Sequence, residues 1–156
     1  MTIPFHPMLV HFPIALFFAS VLFDMASAAF TRDSLREAAQ WLLGLALLGG
    51  IVAAIAGSQA EGAAEKAGVA EALIDTHETL AYLTIGIMTV MFLSRLLPRT
   101  RFGARALIAY FILATVGLIA VSMTGHTGGN LVYEYGAGVV HTATPLPAKG
   151  ECVQCS

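Results

Sequence analysis

Five histidines are the side chains whose chemistry most needs explaining: His6, His11, His77, His126 and His141. The first four flank long apolar stretches. Ionisable groups there are costly, so they usually face a bundle interior and bind an ion, a cofactor or a proton. A neutral imidazole offers one lone pair to a metal and one N–H that fixes its orientation, so histidines from facing helices make a ligand set for haem iron or a divalent metal. His6 and His11 fall in Phe5-His6-Pro7-Met8-Leu9-Val10-His11-Phe12-Pro13-Ile14, at the mouth of a run that stays apolar to Phe23. The second reactive pair is Cys152 and Cys155, spaced C-x-x-C. In an oxidising compartment that pair is a disulfide or a redox couple. It also begins the c-type haem motif C-x-x-C-H, with Ser156 where the histidine belongs.

The elements that must position these groups are membrane helices. The 156 residues are 57% hydrophobic and only 12% charged, against about a quarter charged in a soluble domain. A span needs about 20 mostly apolar residues, and four stretches qualify, near 8–29, 38–57, 78–97 and 104–124. The expected fold is all-α, an integral membrane four-helix bundle, up-down-up-down, occupying residues 1–140, with an outer C-terminal tail at 141–156. The first span has no basic leader and no clean cleavage site, so it reads as retained. The net charge of -2 and the lack of a basic stripe exclude a nucleic-acid partner.

Charge sets the orientation. Arg32 and Arg36 lie between the first two spans, and Arg95, Arg99, Arg101 and Arg105 between the last two; only Lys66 and Lys149 remain for the other face. The positive-inside rule makes the arginine loops cytoplasmic. Both termini and all five histidines then lie on the outer side of a bacterial inner membrane, and His11, His77 and His126 are expected to converge near the bundle axis.

Local signals add detail. Pro13 is expected to bend the first helix, and Asp24, about 20 Å beyond His11, to pair with Arg32 or the second-loop arginines. Ser34 and Glu37 resemble a capping box; Trp41 sits as an interfacial anchor. Gly49, Ala53 and Gly57 form a small-residue face for a neighbouring helix or a flat macrocycle, helix packing being the simpler use. The glycine-punctuated stretch 57–68 reads as a lid loop with a short helix. Asp75 or Thr76 caps the third span, and the small Ala81 and Thr84 leave room below His77. Glycines at 125–129 end the fourth helix, and Tyr133 and Tyr135 lie at headgroup depth.

Together, His6-Pro7, Val10-His11-Phe12-Pro13-Ile14, the histidine opening the third span, and Gly128-Gly129-Asn130-Leu131-Val132-Tyr133 before a glycine-rich turn resemble the bacterial membrane family catalogued as domain of unknown function 2231. The resemblance covers about residues 5–140. It implies a small four-helix membrane protein whose histidines invite haem, with relatives fused to c-type cytochrome or Rieske modules. The matching positions are His6, His11 and His77; many relatives carry histidine where this chain has Tyr135, and His126 is not general.

Two main functional readings follow. The first is a b-type cytochrome holding one or two haem b groups, with His11 and His77 as iron ligands and His126 or His6 completing the pairs. Electrons would pass between an outer donor, such as a periplasmic cytochrome, and a respiratory or photosynthetic membrane complex. Covalent haem c on Cys152 and Cys155 is the weaker variant. The second is a cofactor-free accessory subunit of a larger complex. A thiol/quinone redox protein using Cys152 and Cys155, and a zinc or copper site on three histidines and a carboxylate, are further alternatives. No nucleophile–base pair, phosphate loop or HExxH motif marks a stand-alone enzyme.

Overall fold

The computed structural model describes residues 5–66, 68–96 and 103–136. The elements are α1 (Phe5–Leu9), α2 (His11–Phe30), α3 (Asp33–Lys66), α4 (Glu71–Arg95) and α5 (Ala104–Tyr133). All are helical, with no strand among the described residues. Four segments are long and apolar enough to cross a membrane: His11–Phe30, Asp33–Gln59, Glu71–Arg95 and Ala104–Tyr133. The tail with His141, Cys152 and Cys155 lies outside the described residues.

The helices differ from the sequence expectation mainly in length. Pro13 has no N–H to give the Leu9 carbonyl, and the chain divides there: α1 ends at Leu9 and α2 begins at His11. The division falls ahead of Pro13, which sits in the first turn of α2. The stretch read as a lid loop is instead the end of α3, which runs unbroken to Lys66. Its alanines are the strongest helix formers, and a glycine within it, Gly62, meets no neighbour within 4 Å. At 34 residues the helix is about 50 Å long, more than the roughly 30 Å hydrocarbon layer. Similarly, α4 starts at Glu71 after Ala70, so Asp75 and Thr76 are not caps; the Thr76 hydroxyl donates to the Ala72 carbonyl at 2.7 Å within the helix.

The glycines at 125–129 do not end α5. It continues through them to Tyr133, and the chain turns at Gly136, whose φ of 68° suits glycine. A glycine inside a helix costs about 1 kcal/mol relative to alanine; here contacts with α4 offset that cost. Thr84 and Thr124 share a hydrogen bond at 3.2 Å, and Gly128 admits the His77 ring.

Polarity is distributed as a bilayer requires. Leu22, Leu48, Ile55, Val90, Ile108 and Ile112 point outward, and Trp41 is exposed, while Ser20, Asp24, Ser27 and Thr84 are buried. Without a hydrophobic drive between helices in lipid, close packing of small residues and interhelical hydrogen bonds hold the bundle. Phe17, Leu43, Ile87, Met88 and Met91 fill the middle, beside buried Ala46 and Ala114. At Gly117 an added Cβ would lie 2.9 Å from both Phe17 and Ile87, so this crossing needs glycine. The small face on α3 packs helix against helix: Gly49 lies against Pro13, and Ala53 and Gly57 receive α1.

Candidate functional site

Two polar clusters interrupt the apolar bundle. The first pairs His6 with His77: their ring centroids are 6.1 Å apart with an interplanar angle of 89°. The backbone sets this pairing. α1 carries His6 onto α3, where its ring edge fills the notch at Gly57, with Cε1 3.0 Å from where a Cβ would stand. On α5, Gly128 receives His77 in the same way at 2.9 Å.

Hydrogen bonds orient both rings. The Ala53 carbonyl can only accept, so His6 carries its proton on Nδ1 and donates at 2.8 Å. The Thr127 hydroxyl donates to the Met123 and Thr124 carbonyls, both at 3.1 Å. The same oxygen lies 3.0 Å from His77 Nδ1, a hydrogen bond that holds the ring against α5. In both, the Nδ1 bond fixes the orientation of the ring, as the bond at the second nitrogen does in metal-ligating histidines.

The predicted ligands are thus brought together selectively. His6 and His77 meet; the side chains of His11 and His126 are exposed, and His126 contacts Asn130 at 3.5 Å on its own helix. Among the described residues no three His, Cys, Asp or Glu side chains are grouped to hold a metal ion, so the three-histidine convergence is not formed there. Ala81 is half-buried, and Thr84, expected to leave space, is buried and bonded to Thr124.

The second cluster centres on Asp24. Its carboxylate pairs with Arg95, the two side chains being 9% and 5% exposed, and Tyr110 donates to it at 2.6 Å. Arg95 also donates to the Tyr110 oxygen from Nε at 2.9 Å and to Ser20 from Nη2 at 3.5 Å. Ser20 in turn donates to the Ala39 carbonyl at 2.8 Å. The expected ion pairing of Asp24 with a second-loop arginine is present. Tyr110 and Ser20 were missed; a phenol within an apolar run, which seeks a partner when buried, was the available signal. Between the clusters in each helix stand the core residues Phe17, Met88 and Gly117.

A lipid-facing exterior around two internal polar clusters defines a small, multi-helix integral membrane protein. The chain belongs to the DUF2231 family of predicted membrane proteins, whose family model matches residues 2–141. No curated protein and no solved structure matches it.

Proposed function

We propose that the protein is a membrane electron-transfer subunit of the b-cytochrome type, in which His6 and His77 would hold one haem. The observation that supports this is the pair itself: two imidazoles from separate helices, each with Nδ1 hydrogen-bonded to an oxygen and its ring facing the other. When bound, the haem supplies one-electron chemistry. His6 and His77 would hold it, with Ala53 and Thr127 orienting their rings and apolar helices around them. His11 and His126 drop to outlying positions in this reading.

The topology belongs to the same proposal. Ser20 reaches Ala39, Pro13 reaches Gly49, and His6 reaches Gly57, so positions that descend along α1 and α2 meet positions that rise along α3. Arg95 meets Tyr110, Thr84 meets Thr124, and His77 meets Thr127 in the same reversed order. These contacts support an up-down-up-down bundle, with the imidazole pair at the end where α1 starts and α5 ends. The arginine bias makes that end periplasmic, facing an outer electron donor.

One observation favours a cofactor-free accessory subunit. The edge-to-face contact is a normal aromatic geometry, and the Gly57 and Gly128 notches are filled by the imidazoles. A reduced-minus-oxidised visible spectrum and a pyridine haemochrome assay separate the two. We expect a sharp alpha band and extractable haem in the wild type, lost in His6→Ala and His77→Ala and retained in His126→Ala. A colourless protein, expressed with haem supplied, would leave the accessory subunit.

A further inference from the structure

We propose that the pocket beside the Asp24–Arg95 pair is an oxyanion site that takes a phosphate group. The pocket holds about 280 Å³ and is lined by Asp24, Ser27, Arg36, Ser94, Arg95 and Tyr110, with Ala28, Leu107 and Phe111 forming its apolar part. Its two guanidinium groups and one carboxylate leave a formal charge of +1 (2 − 1).

The arrangement of donors specifies the ligand. Arg95 is 5% exposed in its side chain, and Nε and Nη2 are satisfied by Tyr110, Asp24 and Ser20. Nη1 is buried and makes no hydrogen bond. A buried charged donor without an acceptor is costly; Arg95 lines the pocket, so an oxyanion there that reached Nη1 would recover that loss. A second feature points the same way. Gly103 and Ala104, at the start of α5, line the pocket, and that 30-residue helix has no side-chain cap. Unsatisfied first-turn N–H groups and the positive end of the helix dipole favour an anion. Arg36, reaching in from α3, adds a cation that the Asp24–Arg95 pair does not consume.

The space also fits. A volume of 280 Å³ equals roughly nine waters at about 30 Å³ each, enough for a phosphate with part of a glycerol, whose acyl chains would run along Leu107 and Phe111. The phosphate of a membrane lipid and free inorganic phosphate share this chemistry, and the experiment separates them.

Full-length protein, delipidated in a neutral detergent, is titrated with phosphatidylglycerol, with diacylglycerol of the same chains, and with inorganic phosphate, binding being read by native mass spectrometry. We expect phosphatidylglycerol to bind and diacylglycerol not to. Phosphate that also binds, or displaces the lipid, identifies the site as a general oxyanion site; phosphate without effect identifies it as a lipid site. Arg36→Gln leaves the Asp24–Arg95 pair in place and should weaken binding by about tenfold, the worth of one charge-assisted hydrogen bond. Arg95→Lys keeps the charge opposite Asp24 but lacks Nη1, and should weaken it similarly. Diacylglycerol binding as well as phosphatidylglycerol, binding of neither phosphate source, or an Arg36→Gln affinity within twofold of wild type in a protein with the wild-type unfolding transition would each overturn the proposal.

Discussion

Replacing Asp24 by alanine tests what the buried ion pair contributes. The Arg95 guanidinium, 5% exposed, would lose its only carboxylate among the described contacts and keep the uncharged oxygens of Tyr110 and Ser20. Removing one partner of a buried pair costs about 3–5 kcal/mol, because the remaining charge stays desolvated. At 1.4 kcal/mol per tenfold, the folding equilibrium constant should fall by roughly 100- to 4,000-fold. Tyr110→Phe removes an oxygen that both accepts from Arg95 and donates to Asp24 at 2.6 Å. Hydrogen bonds to charged groups are worth about 1.5–3 kcal/mol, so its effect should be smaller. The double variant Asp24→Leu/Arg95→Met removes both charges and should lie near wild type, since apolar replacement of a buried pair is often neutral or stabilising. Reversible unfolding in mixed detergent micelles measures all three. An Asp24→Ala protein within 1 kcal/mol of wild type, or a double variant as unstable as the single, would refute this account.

Glycines at helix crossings give two further predictions. Gly117→Ala forces a Cβ to 2.9 Å from Phe17 and Ile87 and should cost about 1–3 kcal/mol through overpacking. Gly86→Ala meets nothing within 4 Å and should gain up to about 1 kcal/mol in helix propensity; the same unfolding assay resolves the opposite signs. Gly128→Ala would press on the movable tip of His77 at 2.9 Å, so the fold should survive while the ring leaves Thr127. Its readout is a shifted His77 imidazole resonance, with reduced haem occupancy if His77 is an axial ligand; an unmoved resonance would contradict the notch geometry.

Much of the architecture was legible because bilayer thickness imposes a length and a polarity on each span. Four apolar stretches, a polar residue at position 24 and arginines at the opposite loops suffice to read an all-helical membrane protein with Asp24 in an ion pair. Helix ends were read poorly where glycine was taken as a stop signal. Gly57, Gly62, Gly125, Gly128 and Gly129 all lie within helices. Intrahelical bonds satisfy the backbone in lipid, and neighbours filling the gaps at Gly57 and Gly128 reward closeness more than propensity penalises it.

Composition and spacing alone established membrane residence and the presence of imidazoles beside the spans. Only the tertiary structure decided which of them meet. Helix rotation and axial stagger choose a partner, and neither is written in a hydropathy pattern. The break at Val10 turns His6 onto Ala53, while α4 begins early enough to place His77 within the helix, facing Thr127 and Gly128. That is why His6, and not His11, stands beside His77. The same packing brings Arg95 between Asp24 and Tyr110, joining α2, α4 and α5 around a buried charge.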